Sequence, residues 1–149
     1  MFRGQYFHSM DEKGRLSIPA RFREVLVALQ DERLVLAPFE DRGSVGLEAF
    51  PYETWQDLEE KLKANHPFDA RSLDIIYARV SLSVDCQPDA QGRILLPPEA
   101  RETGGLRREV AFSGHIDTFR IWDAQTWRQV VANAQKVYAD PTQLTQVRT

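Results

Sequence analysis

Two rhythms of apolar residues alternate along this chain, and the same series of rhythms occurs twice. Gln5–Ser9 reads as a short strand, and Asp11–Gly14 as a turn with Asp first and Gly fourth. Arg15-Leu16-Ser17-Ile18 alternates polar and apolar positions, which predicts a half-buried strand. Ile18 precedes a proline and is biased toward extended geometry. Pro19 suits a helix start, and Phe22, Val25, Leu26 and Leu29 then follow at helical spacing through Ala20–Leu29. Strands are predicted at Arg33–Ala37 and Val45–Phe50. A helix follows with Trp55, Leu58 and Leu62 on one face.

The second half runs through the same order. Ser83–Gln87 reads as a strand, Asp89–Gly92 as a turn and Arg93–Leu96 as a strand. Pro97-Pro98 opens a short helix that Gly104-Gly105 stops. Glu109–Ser113 and Phe119–Trp122 are the closing strands. A last helix places Trp127, Val130, Val131, Ala134, Val137 and Tyr138 on one face. Phe68–Val80 is predicted as a helix joining the halves, and residues 140–149 as a polar, frayed tail.

The repeat is explicit in the letters. Asp11-Glu12-Lys13-Gly14-Arg15-Leu16-Ser17-Ile18-Pro19 returns as Asp89-Ala90-Gln91-Gly92-Arg93-Ile94-Leu95-Leu96-Pro97, 78 positions later. A pattern with so many shared constraints in so short a chain indicates two copies of one structural unit. Each copy presents an arginine from the same kind of turn, an arrangement that suits a symmetric charged ligand better than catalysis. One such unit buries too little to stand alone, so the copies are expected to pack as an intrachain pseudo-dimer. The divisions are residues 5–52 for the first unit, 53–81 for a helical connector, 82–125 for the second unit, and 126–149 for a C-terminal helix and tail.

Composition adds bounds. The chain has 149 residues, enough for one ordinary domain or two small intertwined halves. No stretch approaches the ~20 apolar residues of a membrane span, and the start has no apolar secretory region. Cys86 is the single cysteine, which excludes an internal disulfide. A cytoplasmic protein is the simplest reading. The net charge of −3 argues at first against a nucleic-acid partner. The charge is segregated, however: residues 1–25 carry five basic and three acidic side chains, residues 48–62 one basic and five acidic.

The start Met1-Phe2-Arg3-Gly4, the two Gly-Arg phrases and Phe119-Arg120-Ile121-Trp122-Asp123 before Trp127 closely resemble the MraZ family, in order over roughly residues 1–138. The resemblance implies an α+β, mainly β fold: a tandem pair of AbrB/SpoVT-like swapped-hairpin units with added helices. It implies a cytoplasmic, nucleoid-associated transcriptional regulator, mainly a repressor of the division and cell-wall gene cluster that includes its own gene. It also implies a ring-shaped homo-oligomer that binds direct repeats of promoter double-stranded DNA, with no cofactor. Gln91 stands where the first copy has Lys13, so the two halves are expected to contact DNA unequally.

The residue chemistry fits that expectation. Guanidinium is a planar fork matching a phosphate or the O6/N7 edge of guanine, so Arg15 and Arg93 are the central candidates. Gly14 and Gly92 permit close backbone approach. Lys13 supplies a phosphate contact, and Arg3 is a further basic candidate. Asp11 and Asp89 are assigned to holding the turns or orienting the arginines. The competing reading is that both arginines only pair with surface carboxylates. Catalytic signatures are lacking: His8, His66 and His115 have no metal-ligand spacing, and Gly104-Gly105 is followed by no phosphate-loop lysine. The rival function is an antitoxin-like protein-interaction module of the same superfamily. The tail Asp140–Thr149 is short and poor in apolar anchors, which counts against it.

Overall fold

The computed structural model describes residues 1–143, and it places the second repeat against the first strand by strand. The elements are β1 (Gln5–Ser9), β2 (Arg15–Ser17), α1 (Ala20–Ala28), β3 (Leu34–Asp41), β4 (Ser44–Pro51) and α2 (Tyr52–Lys63). Then come α3 (Ala70–Ile75), β5 (Val84–Cys86), β6 (Arg93–Leu95), α4 (Pro98–Thr103), β7 (Glu109–His115), β8 (Thr118–Asp123) and α5 (Ala124–Ala139). The fold is α+β and mainly β.

Six strands form one antiparallel sheet in the order β1-β7-β8-β4-β3-β5. Exchanging first-half strands for their second-half counterparts reverses this order onto itself. The first strand of each repeat therefore borders the hairpin of the other: β1 pairs with β7, and β5 with β3. Among the described residues the remaining strands, β2 and β6, pair only with each other, as a separate two-stranded ribbon.

Alternation along the strands decides which face each side chain enters. Leu34, Leu36, Leu47, Ala49, Val110, Phe112, Phe119 and Ile121 face a core closed by the ribbon and α1, whose Leu16, Ile18, Ile94, Phe22 and Leu26 complete it. Phe22 lies edge-on to Phe2 and Tyr6, at 5.4 and 5.3 Å between ring centroids. On the opposite face, Trp55 of α2 packs with Val35, Ala37 and Phe50.

That opposite face also holds a charged cluster at the seam between the halves. Glu48 of β4 lies directly across from Arg120 of β8, the two being 72 positions apart, as Trp55 and Trp127 are. Glu48 is 6% exposed. Its Oε1 accepts from Arg79 Nη2 at 2.7 Å and its Oε2 from Thr118 Oγ1 at 2.7 Å, and Arg120 Nη2 lies 3.6 Å away. Burial pushes the Glu48 carboxyl up. Its hydrogen bonds and the charges of Arg120 and Arg79 outweigh burial and hold it below the ordinary glutamate value.

Several boundaries depart from expectation. β3 continues past Ala37 through Pro38 to Asp41. Proline is tolerated there because β5 reaches only as far as Leu36, and the Pro38 carbonyl is taken by Arg79 Nε at 3.0 Å rather than by a strand. The helix predicted over Phe68–Val80 starts later, at Ala70, where the Asp69 side chain accepts from the Ser72 N–H. It ends in a π-helical turn, Ile76–Val80, that carries Arg79 to the sheet. On α5, Trp127 and Val131 are half-buried, whereas Ala134, Val137 and Tyr138 of the same face are exposed. Pro141–Gln143 forms one 3₁₀ turn, and the rest of the predicted tail lies outside the described residues.

Removing the Glu48 carboxylate leaves two arginines without their shared counter-ion. Glu48→Ala is expected to cost about 3–5 kcal/mol of stability in urea titrations at neutral pH. The pH dependence has a definite sign. A carboxyl held below its unfolded value of 4.5 stabilises fully above that pH and loses its contribution as pH falls through the lower folded value. Glu48→Gln is expected to flatten that acid limb, and an unchanged limb would assign it to other carboxylates.

Candidate nucleic-acid interface

The two Gly-Arg phrases meet in the β2–β6 ribbon, in register Arg15↔Leu95, Leu16↔Ile94 and Ser17↔Arg93. The ladder extends through both glycines, with the Leu96 N–H donating to Gly14 O and the Ile18 N–H to Gly92 O, each at 2.9 Å. The two phrases are therefore related by a local twofold at the Leu16–Ile94 pair. Those two side chains point inward and are 0% and 1% exposed. Arg15, Ser17, Arg93 and Leu95 all point the other way, outward. The arginines form a diagonal pair on that face, with Cα atoms roughly 7–8 Å apart in ordinary sheet geometry.

Each turn is built around its aspartate. The Gly14 N–H returns to Asp11 O at 3.0 Å, and the Gly92 N–H to Asp89 O at 2.9 Å. Asp11 Oδ1 accepts from the N–H groups of Lys13 (3.0 Å) and Arg15 (2.8 Å). Asp89 Oδ1 accepts from Gln91 (2.8 Å) and Arg93 (3.0 Å). The second carboxylate oxygen takes the arginine side chain: Arg15 Nε lies 2.6 Å from Asp11 Oδ2, and Arg93 Nε 3.3 Å from Asp89 Oδ2. Among the described residues, the terminal guanidinium nitrogens of Arg15 and Arg93 have no such partner. The carboxylate thus orients the fork through Nε and leaves its terminal nitrogens uncommitted. The backbone N–H of the arginine is the main cause that holds each aspartate below the usual range, so both stay ionised at neutral pH.

Gly14 and Gly92 have φ of +90° and +81°, a conformation that L side chains rarely adopt. Space is closed as well. A Cβ on Gly14 would sit 2.5 Å from the backbone Leu96 O, whereas one on Gly92 would sit 2.6 Å from Arg23 Nη1, the movable end of a side chain.

Sequence reasoning overlooked Arg23 and Arg101. Each stands four residues past the helix-opening proline of its repeat and leans over the other repeat's turn. Arg23 Nη2 donates to Asp89 O at 3.2 Å, and Arg101 Nε to Leu96 O at 3.1 Å beside Gly14. Their equal offset from Arg15 and Arg93 was the available signal. The ribbon and its turns gather Lys13, Gly14, Arg15, Gly92 and Arg93, with Asp11 and Asp89 beside the arginines. Arg3 is elsewhere: its neighbours Phe2 and Gly4 bond to Ile116 and Gly114, at the opposite end of β1 from the turn. β1 itself covers about 13 Å.

Among the described residues, no group of three or more His, Cys, Asp or Glu could hold a metal, and no helix is long and apolar enough to cross a membrane. Burial, with Asp85 nearby, pushes the Cys86 thiol up to about 12, which suppresses its reactive thiolate at neutral pH.

The family described as "MraZ protein, putative antitoxin-like" matches residues 1–74 and 82–148. A protein named transcriptional regulator MraZ from Geotalea daltonii is 40% identical over 140 residues, covering 87% of this chain and 88% of the relative. Its namesake from Acidithiobacillus ferrooxidans is 41% identical over 132 residues, covering 85% of each. The one from Geobacter metallireducens is 38% identical over 146 residues, covering 93% and 92%.

Gly14→Ala is expected to displace the ribbon end, since both φ and the Leu96 carbonyl oppose a Cβ. Thermal denaturation should show a loss of more than about 1 kcal/mol. Asp11→Asn keeps the turn's acceptor but removes the charge at Arg15 Nε. It is expected to retain the fold by circular dichroism while loosening the guanidinium.

Proposed function

Because this chain belongs to the MraZ family, we propose that it is a sequence-specific DNA-binding regulator of transcription, acting without catalysis through the β2–β6 ribbon. The observation that carries the reading is the pairing of the two Gly-Arg phrases into one ribbon with both arginines on its outer face. A two-stranded ribbon fits the major groove, where arginine reads guanine O6 and N7. Arg15 and Arg93 take that role with their terminal nitrogens, while Asp11 and Asp89 hold Nε. Lys13 contacts phosphate, and Gln91 at the equivalent position makes the second turn a weaker phosphate ligand. Arg3, remote from the ribbon, reaches only flanking phosphates or a neighbouring duplex segment.

The finer assignment is also ours. The protein is read as a repressor, in the cytoplasm and on the nucleoid, of the division and cell-wall cluster that contains its own gene. One chain neutralises few phosphates, so affinity comes from several identical subunits, arranged as a ring, engaging successive direct repeats. Linking modest sites raises avidity by about 10²–10⁴ without new contact types. The exposed apolar end of α5 supports association between chains. The words "antitoxin-like" in the family description keep a protein-interaction role as the alternative.

Arg15→Ala and Arg93→Ala are each expected to weaken promoter binding by about 1–3 kcal/mol per engaged ribbon, multiplied across the oligomer. Fluorescence anisotropy on the chain's own promoter, with circular dichroism to verify folding, measures this. Wild-type affinity in the folded double variant would refute the assignment. Failure of the unaltered protein to bind any promoter fragment at low salt would favour the protein-interaction role.

Fragments carrying one, two and three words should bind with steeply rising affinity. Shifting the spacing by about half a helical turn should remove most of that gain, because the next word moves to the far face of the duplex. Equal affinity across the series would mean that each chain recognises its site alone.

A further inference from the structure

We propose that Leu95 is a specificity-determining residue that reads the methyl group of a thymine next to the guanine read by Arg15. The inference rests on the proposed DNA-reading role of the ribbon.

Four side chains occupy the outer face of the ribbon: Arg15, Ser17, Arg93 and Leu95. Three are polar. Leu95 is 59% exposed, between Ile94 at 1% and Leu96 at 0%. A lone exposed leucine is ordinary elsewhere on a protein surface. This one is directly across the ladder from Arg15, on the small face assigned to base contact. The repeat supplies a control within the chain. Ser17 holds the equivalent position in the first phrase, so the fold itself does not require an apolar side chain there.

The chemistry of the major groove narrows what such a side chain can recognise. Guanine presents N7 and O6, cytosine its N4 amino group and adenine N7 and N6; only thymine adds an apolar group, its C5-methyl. A leucine pressed on any of the polar edges strips water from it and returns no hydrogen bond. Against a thymine methyl it buries apolar surface on both sides. Leu95 therefore favours thymine and penalises the alternatives at one base step. Ser17, at the corresponding step beside Arg93, accepts several bases. The local twofold of the backbone is thereby broken in its readout: one end of the ribbon reads guanine with thymine, the other guanine with a tolerant neighbour.

The test uses the full chain and promoter fragments in which each thymine in turn is replaced by deoxyuridine, which lacks only the methyl group. The unaltered protein should lose about fourfold in affinity per engaged ribbon at one thymine of each word. Leu95→Ala and Leu95→Ser should bind native DNA correspondingly more weakly and show a thymine-to-uracil ratio near one at that position. Arg15→Ala is measured in parallel. If Arg15→Ala binds as the unaltered protein does, the reading of the ribbon itself falls. If Arg15→Ala fails to bind, yet no thymine shows the ratio or the Leu95 variants keep it, the Leu95 assignment alone is overturned.

Discussion

Everything at the outer surface depends on Leu16 and Ile94 being buried against each other from opposite strands. Among the described residues neither three-residue strand has another strand partner, so each repeat buries its own phrase by pairing it with the other. An isolated two-stranded ribbon is marginal in water. This one is held down by the core beneath it, to which Leu16, Ile18, Ile94 and Leu96 all contribute. Burying the inner face commits the outer one: with a period of two, a one-residue slip of either strand would turn that strand's arginine inward. The same apolar alternation that fixes the register therefore aims the guanidinium groups.

The aspartate–arginine pairs are poor candidates for stability. They are solvent-exposed, and such pairs contribute about 0–1 kcal/mol. Their geometry is more informative than their energy. One oxygen of each carboxylate organises the turn through two backbone N–H groups, and the other engages Nε alone. A surface pairing and a binding role are thus compatible, because the pairing engages Nε and leaves the two terminal nitrogens, a donor pair able to match guanine O6 and N7.

Much of this was legible in the letters. β1 matches its expected span residue for residue, and α1 opens at Ala20 behind Pro19 as expected. Local signals were strong there: an Asp-x-x-Gly turn, strict alternation, a proline at the helix start. What escaped were features set by tertiary context. Pro38 stays in a strand because its neighbour strand stops short. Arg79 reaches the sheet through a π-helical turn with no sequence signature. The remoteness of Arg3 follows from the direction of β1, which a motif read in one dimension does not carry. Arg23 and Arg101 were visible as a repeated offset, but the turn each one leans over belongs to the opposite repeat.

The charged seam at Glu48 has a consequence for assembly. The local twofold brings equivalent positions face to face, and this chain fills them with opposite charges, Glu48 and Arg120. Two first halves associating in the same way would set glutamate against glutamate, and two second halves arginine against arginine. Like charges set across that ladder oppose each other, so at this point of the seam the pairing of unlike halves is favoured over either like pairing.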